Sequence, residues 1–410
     1  MKKVLKKIRL FCSLIYGKLL YALINPKKKR ILFTSFNGKY SDSPKYLSES
    51  IHKLDEKIEI VWLLDNKNMN NAPDYVKRVN ISNYFKRVWH QARAKVIIDN
   101  VYGSREVSLL GTTKKDKRKF RFFSFINKNK KQKVYTTWHG TPLKRMGRDQ
   151  IGNTVYDFSC HNTTMILGNK FTLDIMKRLT FDKIKMQLLG CPRNDILFSI
   201  GKEKTFRDKL NLPTDKKIAI FAPTFRSDGQ DSQEKNVERS GINQLEEIDF
   251  DRLFETLKDK FGGEWVLVCR FHYHVEKMID WQNLNKKYSG RVINGNEFDD
   301  MSEYLVASDL LITDASSSMF DYIHTGKPCF LYFPDYDNYK NNERGFYLDI
   351  EDLPFSCSTD FNGLLNDIVK FDSDRYLSCA EKLKEELGYV DNNNSSNEIA
   401  KFILEEMKNN

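Results

Sequence analysis

Short β-branched and apolar runs recur along this chain, separated by stretches whose apolar residues fall three or four positions apart. The first spacing belongs to buried strands and the second to amphipathic helices. One series of strands is expected at Arg30–Ser35, Ile58–Leu64, Ala94–Asp99, Lys133–Trp138 and Thr164–Leu167. A second is expected at Lys217–Ala222, Trp265–Arg270, Arg291–Ile293, Asp309–Asp314 and Pro328–Phe333. Strands alternating with helices predict parallel sheets covered by helices, so the pattern reads as two α/β units. The charged, helix-like and then Pro-containing stretch from residue 201 to 215 separates the two series and reads as their linker.

The 410-residue length fits this division, since a chain of that size exceeds a single core. Charge adds a direction: 67 Lys and Arg against 55 Asp and Glu leave +12, a bias toward phosphate-rich or anionic partners. Residues 1–30 hold ten basic side chains and no acid, with apolar residues at helical spacing from Val4 to Leu23. Lys18 interrupts the apolar stretch, which is too short to span a bilayer. Residues 1–29 are therefore expected to form a basic amphipathic helix on an anionic membrane surface. A plain core helix with a solvated basic face is the alternative. The seven cysteines show no CxxC pairing, which excludes a disulfide framework and a zinc site and fits a reducing compartment.

Two polar loops stand out. Residues 112–133 are densely basic, with Phe120, Phe122, Phe123 and Phe125 interleaved, and residues 226–247 are of mixed charge. The first would suit single-stranded nucleic acid, but nothing else resembles a nucleic-acid module, so no such partner is expected. The stretch 375–410 reads as a helical segment that packs and does no chemistry.

The chemistry concentrates at strand ends, where open α/β sheets bind their ligands. His139 ends a strand and leads into Gly140, Thr141 and Pro142, a turn that glycine sharpens and proline stiffens. His272 ends a second-half strand in Arg270-Phe-His-Tyr273. His274 shares that segment, while His161 and His324 read as structural. Asp314-Ala-Ser-Ser-Ser318 joins a strand to a helix start, where unpaired amides and the helix dipole stabilise anions and the three hydroxyls add donors. A single capping serine would need only one of them. Arg193 and Arg344 are fixed charges suited to a phosphate or diphosphate. The acidic tripeptides Asp335-Tyr-Asp337 and Asp249-Phe-Asp251 match a metal-binding pattern common by chance. No His, Cys or Asp cluster has metal-ligand spacing, so no metal is expected.

In chain order, Tyr40-Ser-Asp-Ser-Pro44, Trp138-His-Gly-Thr-Pro-Leu-Lys144, Pro192-Arg-Asn-Asp195, Ala222-Pro-Thr-Phe-Arg226, Arg270-Phe-His-Tyr273, Leu311-Ile-Thr-Asp-Ala-Ser-Ser317 with Met319-Phe-Asp-Tyr322, and Arg344-Gly-Phe346 resemble the CDP-glycerol glycerophosphotransferase family of teichoic-acid primases and polymerases. The resemblance implies a GT-B-like architecture, two Rossmann-like domains facing across a cleft. In that frame residues 30–200 form an acceptor-side domain and residues 201–374 a nucleotide-donor domain. It implies His139 as catalytic base and His272 as a required group near the donor phosphates. Donor contacts carry over to Gly140, Thr141, Pro142, Arg193, Pro223, Thr224, Arg270, Asp314, Ser316, Ser317, Asp321 and Arg344. The implied donor is CDP-glycerol, with no further cofactor. The implied acceptor is lipid-linked or polymeric, at the cytoplasmic membrane face. Asp314-Ala-Ser-Ser departs from the family's commoner Asp-Tyr-Ser-Ser, which alters packing near the nucleotide. CDP-ribitol as donor, a sugar-nucleotide glycosyltransferase of the same fold, and a basic binding protein without activity are the rival readings.

Overall fold

The computed structural model describes residues 15–17, 19–36, 38–101, 132–150, 163–180, 184–226, 243–343 and 345–409. The chain divides into two compact units. The first comprises Met1–His139, Asp157–Asp195 and Val390–Asn410, and the second Gly140–Tyr156 and Ile196–Tyr389.

The first unit holds a seven-stranded, all-parallel sheet: β1 (Lys27–Phe33), β2 (Glu59–Leu64), β3 (Lys77–Asn80), β4 (Ala94–Asp99), β5 (Lys133–Thr136), β6 (Thr163–Leu167) and β7 (Lys185–Leu188). Its order is β3-β2-β1-β4-β5-β6-β7, so the strand order reverses direction between β1 and β4. The second unit holds six parallel strands: β8 (Lys217–Ala222), β9 (Trp265–Cys269), β10 (Val292–Asn294), β11 (Leu310–Thr313), β12 (Cys329–Tyr332) and β13 (Ser356–Ser358). Their order, β10-β9-β8-β11-β12-β13, reverses between β8 and β11. Both units thus have the doubly wound, Rossmann-like arrangement expected from the alternation.

Interior strands match the apolar runs because burial on both faces requires them. Phe221, Leu267, Ile312 and Phe330 are fully buried in the second core, and Ile31, Trp62, Val96 and Tyr135 in the first. Three strands escaped the sequence pattern: β3, β7 and β13. Each is a sheet edge of three or four residues without two consecutive apolar side chains, so no apolar run announces it.

Boundaries differ from expectation in several places, the stretch from Gly140 to Tyr156 grouping with the second unit among them. The final helix, Ser395–Lys408, belongs to the first unit, where Ile399, Ala400 and Ile403 enter the core. Its start is fastened by Asp195, whose carboxylate accepts from the amides of Ser395 at 3.1 Å and Ser396 at 2.8 Å. Gly190 (φ +95°) is required beside it, because a Cβ there would overlap Ser395. The stretch 201–215 contains a helix, Glu203–Lys209, integrated in the second unit through Arg207, which donates to the Ala307 carbonyl and pairs with Asp309 at 2.6 Å.

At the N-terminus β1 already begins at Lys27, so a helix cannot run to residue 29. Residues 15–17 and 19–23 are helical, and Ile15, Leu19 and Leu23 are exposed; residues 1–14 and 18 lie outside the described residues. Most of the two polar loops, together with His161 and Arg344, also lies outside them. Among the described residues, Cys191, Cys269, Cys329, Cys357 and Cys379 are free thiols, and no helix is long and apolar enough to cross a membrane.

Candidate functional site

In the first unit the candidate chemistry gathers beside the β1/β4 reversal. The chain leaves β5 through Trp138, whose φ is +53°, and reaches His139 at the end of this unit's first segment. Trp138 and His139 lie ring against ring at 4.0 Å, and Phe36 meets the imidazole edge-on at 6.2 Å. The Nδ1 atom of His139 is 2.9 Å from the carbonyl oxygen of Asn100, the residue directly after β4. A carbonyl only accepts, so Nδ1 carries the proton and Nε2 keeps its lone pair. Burial holds the imidazole pKa below its ordinary 6.5, against the opposing pull of the Asn100 bond and Asp42, while Arg193 reinforces the depression. The ring is therefore neutral and basic at neutral pH.

Asp42 opens the helix Asp42–Leu54 with φ +62°, and its carboxylate accepts from Arg193 Nη1 at 2.8 Å. Both side chains are buried. Phe36, at φ +38°, donates its amide to Asn100 Oδ1 at 3.0 Å. Three of the five non-glycine residues with positive φ among the described residues, Phe36, Asp42 and Trp138, thus surround one histidine. Strained backbone of this kind persists where the surrounding structure enforces it and concentrates at functional sites.

The second unit organises its reversal, between β8 and β11, around Asp314. Its Oδ1 accepts from the amide of Thr224 at 2.9 Å and from the Thr224 hydroxyl at 2.5 Å. Its Oδ2 pairs with Arg226 at 2.8 Å, both groups being fully buried. Arg226 also forms a two-point bond to Asp335, Nε to Oδ2 at 2.8 Å and Nη2 to Oδ1 at 2.7 Å. One cation thus balances two carboxylates and ties the β8, β11 and β12 exits together. Asp335 thus serves as an ion-pair partner of Arg226, and Asp249 caps the helix Phe250–Phe261 by accepting from the Arg252 amide at 3.1 Å. Neither is placed as a metal ligand. Among the described residues, no group of three or more His, Cys, Asp or Glu could hold a metal ion.

The other sequence-expected residues divide between surface and scaffold. His272 is exposed on the loop after β9, stacked on Phe225 at 4.4 Å. Ser316 and Ser317 are half-buried at the exit of β11. Ser316 Oγ lies 2.9 Å from Ser318 Oγ, and Ser317 precedes the helix Ser318–Tyr322 without making a side-chain cap. That helix has five residues and passes into a 3₁₀ turn, so its dipole is weaker than the sequence suggested. Asp321 is buried within it, and Pro223 is buried beside Thr224.

Three expected donor contacts also make bonds within the protein. Arg270 directs its guanidinium into backbone carbonyls, Gly295 at 2.6 Å, Phe298 at 2.7 Å and Asp299 at 2.8 Å, and so fastens the loop after β10. Arg193 is engaged by Asp42 inside the first unit. Thr141 is buried, its hydroxyl 2.7 Å from Tyr389 OH.

Gly140 (φ +122°) turns the chain, and the residues after Pro142 pair with those after Arg344. Leu143 O accepts from Tyr347 N at 2.7 Å, and Gly345 O from Arg145 N at 3.1 Å. The stretch 143–146 and the segment 345–347, about 200 positions apart in sequence, are therefore neighbours within the second unit.

Asn100, Phe36, Arg226 and Asp335 were missed by sequence reasoning. A signal existed for the first: Asn100 follows β4 as Asp314 follows β11, a polar residue directly after an apolar strand.

The family model for CDP-glycerol:poly(glycerophosphate) glycerophosphotransferase matches residues 19–405. A teichoic acid poly(glycerol phosphate) polymerase of Staphylococcus epidermidis is 30% identical over 94% of this chain. The chain spans only 52% of that relative's length. A teichoic acid glycerol-phosphate transferase of Staphylococcus aureus is 26% identical, with 92% of this chain and 94% of the relative covered. Among solved structures, a wall teichoic acid polymerase TagF soaked with CDPG superposes with a TM-score of 0.78 at 29% identity, covering 99% of this chain and 96% of that one.

Proposed function

The chain belongs to the CDP-glycerol:poly(glycerophosphate) glycerophosphotransferase family, and on that premise we propose that it transfers glycerol phosphate from CDP-glycerol to a hydroxyl of a cell-wall or capsule polymer acceptor. His139 Nε2 accepts the proton of the acceptor hydroxyl. The resulting oxygen attacks the phosphorus that bears glycerol, and the bond from that phosphorus to the bridging oxygen of the diphosphate breaks. CMP leaves with the bonding pair. Such a reaction needs little covalent work from the protein; positioning and charge stabilisation carry it. In this reading His272, Thr224, Ser316, Ser317 and Arg344 attend the donor phosphates. Arg193, Arg270, Asp314 and Asp321 hold the loops that present them.

The observation that carries the proposal is the state of His139: neutral, with Nδ1 bonded to a carbonyl and Nε2 left basic, on a loop of strained residues. A glycosyltransferase would attack an anomeric carbon and would release a different nucleotide from a different donor. The test is nucleotide release with a lipid-linked acceptor, CMP from CDP-glycerol or CDP-ribitol and UDP from UDP-sugars, side by side. Turnover with CDP-glycerol supports the assignment, and turnover confined to another donor refutes it. For the membrane reading, the exposed Ile15, Leu19 and Leu23 and the exposed Lys27, Lys28 and Lys29 are the supporting features. Co-sedimentation with anionic but not neutral vesicles is the expected result.

A further inference from the structure

The residue directly after β4 has two bonds that meet at the base. Through its main chain, Asn100 accepts from His139 Nδ1 at 2.9 Å. Through its side chain, Oδ1 accepts from the amide of Phe36 at 3.0 Å. Phe36 in turn sets its ring edge-on to the same imidazole. Asn100 is fully buried, and its Nδ2 has no hydrogen-bond partner among the described residues. Half of this amide is therefore committed and half is not. A residue selected only to hold the Phe36 amide could equally be an aspartate, as the second unit shows: Asp314, directly after β11, holds the Thr224 amide in the same way. There the charge is neutralised by buried Arg226. In the first unit, among the described residues, the buried arginine of this cluster, Arg193, is already paired with Asp42.

We propose that Asn100 is the positioning residue of the base: it selects the Nδ1–H tautomer of His139, and its uncharged amide keeps the imidazole from being held as imidazolium. The inference rests on His139 acting as general base. The charged groups facing the ring are Asp42, on the helix Asp42–Leu54, and Arg193, on the Pro192–Phe198 turn. As a mutually neutralising pair they leave the charge state of position 100 decisive. A carboxylate there would stabilise the imidazolium and raise its pKa.

The test compares the full chain with Asn100→Asp and Asn100→Ala. Readouts are CMP release from CDP-glycerol as a function of pH, CDP-glycerol affinity, and ¹⁵N-histidine NMR, with His139→Gln to assign the signal. Expected for the wild type is a neutral His139 protonated on Nδ1. Asn100→Asp keeps the acceptor for the Phe36 amide, so it should fold; the acid limb of its pH profile and the His139 titration should both move up by about one unit. Asn100→Ala frees the Phe36 loop and should lower kcat about 100-fold with donor affinity unchanged. If that variant fails to fold, Asn100→Asp alone decides. A wild-type tautomer protonated on Nε2, or an Asn100→Asp titration that superimposes on the wild type, overturns the proposal. Absence of CMP release by the wild type would instead refute the transfer reading, and the tautomer and titration would still decide the role of Asn100.

Discussion

The two units share a strand order and a device but differ in charge. In each, the polar residue after the fourth strand in the winding reaches back to a main-chain amide after the first: Asn100 to Phe36, Asp314 to Thr224. In the second unit the device is ionic, with Arg226 set between Asp314 and Asp335. In the first it is neutral, and the titratable group nearby is an imidazole. Backbone strain follows the same division. Phe36, Asp42 and Trp138 have positive φ around His139, whereas the second unit's non-glycine examples among the described residues, Asn211 and Ser289, lie away from its strand exits. One topology therefore serves two ends: a charge-locked platform and a set of strained residues around an imidazole held neutral.

The largest test of this contrast is His139→Ala. Turnover should fall about a thousandfold, measured as CMP release, while CDP-glycerol affinity by calorimetry is retained. Preserved turnover would remove the first unit's claim to the chemistry. On the other side, Arg226→Met leaves two carboxylates without their cation and should cost about 3 kcal/mol in denaturant unfolding. A neutral outcome would show that the lock contributes little.

Arg193→Met joins the two halves of the comparison, because its partner Asp42 also faces the base. Burial holds the His139 pKa below 6.5, so the wild-type rate should rise with pH through a midpoint under that value. Removing Arg193 leaves Asp42 unopposed, so protonated His139 is favoured and the midpoint moves up. The reverse shift would break the assignment. Ser317→Ala removes a half-buried hydroxyl without a capping bond, so donor affinity should weaken about tenfold with Tm unchanged. The smallest effect is expected for Asp249→Ala, about 1 kcal/mol of stability from the lost cap with turnover intact. Lost turnover there would reopen a metal reading.

Much of this molecule was legible in advance where burial dictates composition. Every strand recognised from apolar runs lies in a parallel sheet, and the three that were missed are short polar edges whose pairing comes from main-chain atoms alone. The positions of His139 and His272 just after strands were equally legible. The roles of arginines were not. Arg193, Arg226 and Arg270 look alike as isolated charges, yet their partners are a carboxylate from 151 positions away, two carboxylates, and a ring of carbonyls.

By itself, then, the order of residues determined two doubly wound sheets and a histidine delivered by a strand end into a glycine turn. Periodicity and turn chemistry act over a few residues and can be read locally. Which nitrogen of that histidine bonds a carbonyl, which arginines are bound within the protein, and that Asn100 meets both the imidazole and the Phe36 amide were decided only by tertiary structure. Those properties depend on burial and on hydrogen bonds between groups far apart in the chain, and neither exists until the sheets have formed.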